Sequence, residues 1–400
     1  MTAKPEIRGW CPGALRPMQS GDGLIVRIRP PGGHLSSVQA EGIAQAAARH
    51  GNGIIDLSAR ANLQLRGVTE TSHAPLIADL RAHGLIDRDV ETESLRNLIV
   101  TPFRTRALPS PTLSPNRGRE AHDPDATDTL AATLTTALAR MPRLPGKFGF
   151  ALDSGPRPVL NSASVDIRVE RAVDGRLILR PDGYPLGKPV QDLAADAVAL
   201  VEWFVATGGV TDGRGRMAAL IARGATPPGC DTAPADSLPQ PAPGLLAEGA
   251  LVALAFGQMR AETLSALAML GREIRPTPWR MLMLAGATAL PGIPGIITDP
   301  ADPLLRVTAC TGAVGCPQAL GETRTLARQL AAHLPDGRHL HVSGCAKGCA
   351  HPGRSDLALV ATPQGYDLVL DGTASDTPLR FGLASAAIPD HLKAPHAPSL

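Results

Sequence analysis

"GDGLIVRIRPPGGHLSSVQAEGIAQAAARHGNGIIDLSARANLQLRG", residues 21–67, decides the fold, because its order of elements returns in "AEGALVALAFGQMRAETLSALAMLGREIRPTPWRMLMLAG", residues 247–286. Each stretch has a β-rich run, a loop, an Ala/Leu-rich segment of helical period, and a closing strand that ends in glycine. The closing segments, 55–67 and 274–286, match without a gap. Alternation in "NLQLRG" and "RMLMLAG" predicts strands with one buried face. We interpret the pair as a duplication rather than as chance similarity between Ala/Leu-rich segments.

The duplication predicts an α+β protein with two related halves, each made of a ferredoxin-like α/β unit and a larger α/β lobe. A Pro-rich stretch near the middle of the chain is typical of a linker, and a second one at 108–128 predicts a surface loop. We therefore expect the first ferredoxin-like repeat at 15–70, the first lobe at 85–222, the linker at 223–244, the second repeat at 245–290 and a cysteine-bearing lobe at 300–388.

Composition excludes several classes of function. The 400 residues are 44% hydrophobic and 19% charged, which is typical of a globular protein. With 39 basic and 37 acidic residues the net charge is +2, and aromatics make up 3%, so no nucleic-acid footprint is visible. The most apolar stretch, "DAVALVEWFVATGGV", contains Glu202 and is too short to span a membrane. The N-terminus lacks an apolar signal core, so we expect a cytoplasmic protein.

Four of the six cysteines form two close pairs, Cys310 with Cys316 and Cys345 with Cys349. In a reducing compartment such thiols are available to metal. Zinc knuckles usually have two to four residues between ligands, so the five-residue gap after Cys310 fits zinc poorly. A [4Fe–4S] cluster tolerates wider loops, and the glycines around these cysteines let backbone amides approach the sulfurs. Zinc and unrelated structural cysteines stay open as alternatives.

The remaining two cysteines carry weaker signals. Cys230 lies inside the Pro-rich linker and is interpreted as an incidental thiol. Cys11, in "GWCPG", is a lone cysteine near a terminus, and such residues seldom bind metal.

The C-x5-C and C-x3-C spacing after a duplicated ferredoxin-like unit resembles the sulfite and nitrite reductase hemoprotein family over nearly the whole chain. The resemblance implies the fold of those hemoproteins. It also implies that Cys310, Cys316, Cys345 and Cys349 bind one [4Fe–4S] cluster and that Cys349 bridges it to the iron of siroheme. The tetrapyrrole would lie between the two halves.

Three basic residues stand on motifs that face the substrate in that family. "LSARANLQLRG" resembles the segment that gives Arg60, "LRNLIVTPF" the one that gives Arg96, and "LPGKFGFALD" the one that gives Lys147. The reductases have a second lysine where this chain has Gly149, and the loss of that cation weakens the interpretation as a sulfite reductase. Each basic residue has a simpler alternative as a solvated charge at the rim.

Further motifs resemble the precorrin-3B synthases, the aerobic cobalamin branch of the same family. They are "RGWCPGALRPMQSGDGLIVRIRPPGG", "TPWR" and "GCAHPGRSDLALV". This resemblance implies O2-dependent hydroxylation of precorrin-3A with γ-lactone formation, a [4Fe–4S] cluster and mononuclear non-heme iron. Arg60, Arg96 and Lys147, with Arg354 as a further candidate, would then pair with the acetates and propionates of the tetrapyrrole.

Three histidines near the cysteines are candidates for iron ligation or proton transfer. His351 follows the second cysteine pair and is the strongest of them. His339 and His341 alternate on a predicted strand and share one face, for which we favour a solvated surface over iron ligation.

The electrons for an oxygenase of this kind must come from outside the chain. No G-x-G-x-x-G follows a predicted strand, so NADH-derived electrons would need a partner ferredoxin or reductase, docked near Cys310. Two rival functions remain. One is a siroheme-dependent sulfite or nitrite reductase, which predicts a strong tetrapyrrole chromophore. The other is a non-catalytic Fe–S electron carrier, which predicts a cluster without affinity for a macrocycle.

Overall fold

The computed structural model describes residues 12–104 and 126–393. The first half opens with a ferredoxin-like unit whose helix begins at a capping box. The Ser36 side chain accepts from the Gln39 N–H, and the Gln39 side chain accepts from the Ser36 N–H. The elements of this unit are β1 (Met18–Ser20), β2 (Gly23–Ile28), α1 (Ser37–His50), β3 (Ile54–Leu57) and β4 (Leu63–Val68).

A larger lobe follows, with helices packed on a second sheet. Its core is apolar and contains the fully buried Leu134, Phe150 and Phe204. The elements between the first unit and the lobe, and in the lobe, are α2 (Glu70–Ala82), α3 (Val90–Leu95), β5 (Leu98–Val100), α4 (Ala126–Leu138), β6 (Phe150–Asp153), β7 (Ile167–Arg171), β8 (Leu177–Pro181), β9 (Lys188–Pro189), α5 (Leu193–Ala206) and α6 (Met217–Ala222).

The second half repeats this order. Its ferredoxin-like unit contains β10 (Gly244–Leu246), β11 (Gly249–Ala253), β12 (Gln258–Arg260), α7 (Ala261–Ala268), β13 (Ile274–Pro276) and β14 (Met281–Ala285). The cysteine-bearing lobe contains β15 (Val307–Ala309), α8 (Arg324–Ala331), β16 (Leu340–Ser343), β17 (Ser355–Thr362), β18 (Gly365–Gly372), β19 (Arg380–Leu383) and α9 (Ile388–Lys393). Within the described ranges, no helix is both long and apolar enough to cross a bilayer.

The two ferredoxin-like units exchange strands. The first sheet has the order β1-β2-β4-β3-β12, so its edge strand comes from the second unit. In return, Leu35 of the first unit bridges the edge of the β10-β11-β14-β13 sheet. Its N–H donates to the Ile274 carbonyl at 2.8 Å, and the Ile274 N–H donates back at 2.9 Å. Helices α1 and α7 share one apolar core beneath both sheets. The units are therefore interlocked.

The two lobes also have one topology. In the first, β5, β6 and β7 run parallel and β8 and β9 are added antiparallel. In the second, β15, β16 and β17 run parallel and β18 and β19 are added antiparallel. The predicted fold class, α+β with two related halves, is confirmed.

Backbone conformation matches across the gap-free repeat. Ala61 and Arg280 stand at equivalent positions, and both have left-handed backbones, with φ of 55° and 62°. Such values are uncommon for residues other than glycine. Gly67 and Gly286, which end the two repeats, have φ of 69° and 65°. Chance similarity between Ala/Leu-rich segments would not reproduce these features, so the duplication is the correct interpretation.

The Pro-rich segment between the halves is held against the first lobe. Thr232 bridges Gly187, and the Ala235 N–H donates to the Arg171 carbonyl at 2.8 Å. Cys230 in this segment is buried, and burial raises the pKa of its thiol to about 11, which suits an unreactive cysteine. Most of the surface loop predicted at 108–128 lies outside the described residues, and the residue boundaries predicted for the domains stay predictions.

Candidate functional site

The fold brings the two cysteine loops, residues 310–316 and 345–349, to one sheet edge. Cys310 follows β15 and Cys345 lies two residues beyond β16, and these strands are parallel neighbours. The Cys310 N–H donates to the Val342 carbonyl at 3.0 Å. Desolvation, together with the nearby thiols of Cys310, Cys345 and Cys316, raises the pKa of Cys349, although the residue is exposed at the surface. The four sulfurs thus lie close enough to influence one another.

Small residues allow the two loops to pack tightly. A Cβ on Gly344 would lie 2.8 Å from the Ala319 Cβ. Gly312 has φ of +76°, and a Cβ there would lie 2.5 Å from the Thr323 Oγ1. The Leu320 N–H donates to the Gly344 carbonyl at 2.8 Å. Larger residues at the two glycines would push the cysteine pairs apart.

The donor set of these loops fits a [4Fe–4S] cluster. Such a cluster takes four cysteine thiolates and is tuned by hydrogen bonds to its sulfurs. Cys310, Cys316, Cys345 and Cys349 are all free thiols, and the Ala350 N–H donates to the Cys310 Sγ at 3.4 Å. In the described part of the chain, no group of three or more His, Cys, Asp or Glu side chains is arranged to hold a single metal ion. Cluster thiolates bind different irons and need not converge on one point.

The three histidines lie together beside Cys310. The ring centroids of His339 and His351 are 4.9 Å apart, and those of His341 and His351 are 5.8 Å apart. His341 is fully buried with its Nε2 3.6 Å from the Cys310 Sγ, so the expected solvated face is wrong for this residue. Burial, with the neighbouring histidines, lowers the pKa of His341 to about 4. The sequence signal for the burial of His341 was its place on a strand of the cysteine-bearing lobe, because that strand, β16, lies between the parallel strands β15 and β17.

Arg60 and Lys147 meet at the start of β6. The Arg60 Nη2 donates to the Lys147 carbonyl at 2.7 Å, while the Lys147 side chain is exposed. A Cβ on Gly149 would lie 3.0 Å from the Asn97 carbonyl oxygen and 3.4 Å from the Arg60 Nη1. The room for a second lysine at position 149 is therefore already taken by the backbone of Asn97 and the guanidinium of Arg60.

Arg96 and Arg354 have different surroundings. The Arg96 Nε and Nη2 donate to both carboxylate oxygens of Asp87 at 2.9 and 2.8 Å, and both side chains are largely buried. Its charge is thus already paired with a carboxylate. Arg354 is exposed, and its Nη1 lies 4.0 Å from the Asp376 Oδ2. Cys11, the lone cysteine near the N-terminus, lies outside the described residues.

A set of polar side chains on the first sheet, which we call the arginine face, was not predicted from the sequence; its arginines are buried and its glutamine is half-buried. The Arg27 Nη2 donates to the Gln64 Oε1 at 2.7 Å, and the Arg66 Nη2 donates to the carbonyl of Gly315, inside a cysteine loop, at 2.9 Å. Arg29 is 5% exposed, and its Nε and Nη1 have no hydrogen-bond partner in the described part of the chain. Burial lowers the pKa of Arg29 to about 10. The arginine face consists of Arg27, Arg29, Gln64 and Arg66.

Comparisons with known proteins agree with this geometry. Residues 16–83 match the nitrite/sulfite reductase ferredoxin-like half domain. A Sinorhizobium protein named precorrin-3B synthase is 32% identical over 440 aligned positions, which cover 95% of this chain and 87% of that protein. The chain belongs to the precorrin-3B synthase family. The resemblance drawn from the N-terminal and cysteine-loop motifs is therefore confirmed.

Two further comparisons concern the reductases. A Neurospora crassa nitrite reductase [NAD(P)H] is 30% identical over 91 residues, which are 22% of this chain and 8% of that protein. The structure of the Mycobacterium tuberculosis NirA protein superposes with a TM-score of 0.63 at 17% identity, covering 92% of this chain and 79% of that one. At that identity the superposition supports the fold alone, which this member of the precorrin-3B synthase family shares.

In this family member the equivalent sheet faces of the two repeats differ in polarity. Strand registers pair Arg27 with Gln64 in the first sheet and Leu251 with Met283 in the second. The repeat thus places Leu251 where the first unit has Arg27 and Ala253 where it has Arg29. Leu251, Ala253 and Met283 all lie in an apolar cluster. Arg275 of β13 is opposite Met283 on this second face, where it is buried and paired with Glu273. At the positions of Arg27 and Arg29 themselves, only the first sheet carries charge.

A cavity of about 540 Å³ lies where the halves meet. Its walls include Ala59 of the first unit, Trp279 and Arg280 of the second, and His339 and His351 of the cysteine lobe. The Arg280 Nη2 donates at 2.8 Å to the carbonyl of Ala350, which adjoins a cysteine loop. Arg280 belongs to the "TPWR" motif, so the sequence contained a signal for this residue, although its role was not assigned.

Proposed function

We propose that this chain hydroxylates precorrin-3A with O2 and closes a γ-lactone, giving precorrin-3B in aerobic cobalamin biosynthesis. One oxygen atom enters the macrocycle, and two electrons and two protons reduce the other to water. The identity to a protein named precorrin-3B synthase over 95% of the chain supports this assignment of the substrate. An enzyme of this kind is an oxidoreductase that acts as a monooxygenase.

The observation that carries the proposal is the contact between the arginine face and a cysteine loop. Arg66 donates to the carbonyl of Gly315, so one buried guanidinium, which also pairs with Asp22 and Asp56, lies beside the thiols proposed as the electron port. A buried cation with unpaired N–H groups is costly, and an anion that accepts from them removes that cost. Precorrin-3A carries several carboxylates. Arg29 is the strongest candidate to bind one of them, because its Nε and Nη1 have no hydrogen-bond partner among the described residues, although Nη1 lies 3.5 Å from the Glu93 carboxylate.

The basic residues predicted from the sequence take roles according to their surroundings. Arg60 would contact the substrate, with its guanidinium oriented by the Lys147 carbonyl, and the exposed Lys147 side chain would bind a peripheral carboxylate. Arg96 is held by Asp87, so we assign it to shaping the site and to the local positive potential. His351 is the proposed proton donor. Its ring lies against His339, and both line the 540 Å³ cavity.

Cys310, Cys316, Cys345 and Cys349 are the residues proposed to hold a [4Fe–4S] cluster. When bound, such a cluster passes single electrons between an external donor and the site. The chain's own part is to keep the four thiols close and to donate the Ala350 N–H to sulfur. NADH-derived electrons would arrive through a partner ferredoxin or reductase. No ligands are assigned to a mononuclear iron.

The second candidate, a siroheme-dependent sulfite or nitrite reductase, is favoured by the half-domain match at residues 16–83. A small oxyanion needs several cations and proton donors around it. Gly149 supplies neither, and a lysine there would meet the Asn97 carbonyl and Arg60. The hydroxylase therefore agrees better with the residues that are present.

An anaerobic preparation of the full chain, analysed for iron, sulfide and tetrapyrrole and then supplied with precorrin-3A, an electron donor and 18O2, separates these functions. The hydroxylase predicts one 18O atom in the macrocycle and negligible sulfide from sulfite. Sulfide formation with an intrinsic siroheme spectrum would establish the reductase. A cluster with no affinity for any tetrapyrrole would establish the electron carrier.

A further inference from the structure

The first lobe contains a cavity at the position that corresponds to the cysteine loops of the second. Strand registers pair Leu98 with Phe150 and Val307 with Leu340, so the ends of β5 and β6 are equivalent to the ends of β15 and β16. Thr101 then occupies the place of Cys310, and Asp153 the place of Ser343. The first lobe has no thiol at this edge, and the space is open.

This space, which we call the Asp153 cavity, measures about 580 Å³. Its wall is largely apolar and includes Phe103, Val159, Leu238 and Leu246. A cavity of this volume with few polar groups is typical of a site for a small organic molecule.

Asp153 is the polar group inside it. The residue is 2% exposed. Its Oδ2 accepts the N–H groups of Val159 and Leu160 at 2.6 and 2.7 Å, which fixes the carboxyl group. Its Oδ1 has no hydrogen-bond partner among the described residues. Burial raises the pKa of Asp153 to about 6, against the opposing effect of the two N–H groups and the Thr101 side chain.

We propose that the Asp153 cavity is a second ligand site, which takes a small organic cation with an apolar body, an amine or amidine whose N–H donates to the Asp153 Oδ1. A cation would supply the missing donor and neutralise the buried charge. The acidic Glu248 lies at the same cavity. The nearby Arg157 instead donates to the carbonyls of Asp236 and Ser237, at 3.3 and 3.4 Å. The wall would bury the apolar body of the ligand.

Calorimetric titration of the full-length protein at pH 7.5 with benzylamine and with benzyl alcohol, probes of nearly equal shape, tests this site. We expect benzylamine to bind at least about tenfold more tightly than the alcohol. Asp153→Asn keeps an oxygen for the two backbone N–H groups and removes the charge. It should weaken benzylamine about tenfold or more and leave the alcohol unchanged.

Two more variants make the outcome decisive. Asp336→Asn removes a fully exposed carboxylate of the cysteine-bearing lobe, which does not line the Asp153 cavity, and should leave benzylamine affinity unchanged. Leu246→Trp should fill the cavity and abolish binding even if Asp153→Asn fails to fold. No binding of benzylamine at millimolar concentration, or equal binding by wild type and a folded Asp153→Asn or Leu246→Trp protein, would overturn the proposal.

Discussion

Replacing Arg29 with methionine should weaken substrate binding without weakening the fold. Arg29 is buried on the arginine face, and its Nε and Nη1 have no hydrogen-bond partner in the described part of the chain. N–H groups without a hydrogen-bond partner in the protein can donate to a ligand, so we expect Arg29 to contribute more to binding than to folding. Methionine has a similar length and no charge, so it keeps the packing and removes the donors.

The magnitude follows from the contacts. Loss of one hydrogen bond to a charged group costs about 1.5–3 kcal/mol, or roughly a tenfold to hundredfold loss of affinity. Breaking a buried ion pair usually destabilises a protein by about 3–5 kcal/mol. Here the pair with Glu93 is long, at 3.5 Å, and Glu93 also accepts the backbone N–H groups of Ala14 and Leu15. We therefore expect the free energy of unfolding to change by no more than about 1 kcal/mol.

The assay is anaerobic titration with precorrin-3A without an electron donor, so that no turnover occurs, followed by thermal unfolding of the same samples. Arg49→Met is the matched control, because Arg49 has a 63% exposed side chain and pairs with Asp79 at the surface. Wild-type affinity in a folded Arg29→Met protein would refute the assignment. So would a large loss of stability with unchanged affinity, which would make Arg29 a structural residue.

Three further predictions address the cysteines, Gly149 and Asp153. Cys345→Ala should lose both iron and acid-labile sulfide, whereas Cys230→Ala, which alters a buried thiol in the linker, should keep them; a fully loaded Cys345→Ala protein would exclude the cluster assignment. Gly149→Lys should destabilise the fold by about 1–3 kcal/mol in a denaturant titration, because its Cβ would press on the Asn97 carbonyl, and unchanged stability would show that the site has room for the lysine. Folding raises the pKa of Asp153 from 3.8 to about 6, so the protonated carboxyl stabilises the folded state below pH 4 and this contribution is lost as the pH rises through 6. The unfolding free energy of wild type relative to Asp153→Asn should thus fall by up to roughly 3 kcal/mol over that range, and a flat difference would contradict the shift.

The sequence was sufficient for the architecture because duplication leaves a periodic record. Gap-free matching of 55–67 with 274–286 placed equivalent strands correctly, down to the shared left-handed backbone at Ala61 and Arg280. The exchange of strands between the two units could not be read in the same way. Whether β12 pairs with its own sheet or with β3 depends on packing between distant segments, and the local pattern of "QMR" is the same in both cases.

The candidate site was predicted in part. The cysteine spacing identified two loops that the fold brings to one edge. The arginine face was not predicted because "LIVRIR" was interpreted only as a β-rich run, without a role for its arginines. The alternation that buries Val26 and Ile28 also places Arg27 and Arg29 together on the opposite face, and only the tertiary structure reveals that this face is covered.

The two halves began as equivalent units and now differ at the positions where chemistry is proposed. Where the first sheet carries Arg27 and Arg29, the second carries Leu251 and Ala253, which pack in an apolar cluster. The lobes differ in the opposite sense, because the second carries the cysteine loops and the first has Asp153 at the matching edge. Charge on one sheet and thiols on the lobe that covers it meet at the contact between Arg66 and Gly315. We therefore expect one catalytic site per chain, since the second sheet has Leu251 and Ala253 in place of Arg27 and Arg29, its buried Arg275 is paired with Glu273, and the first lobe has no thiol at the matching edge.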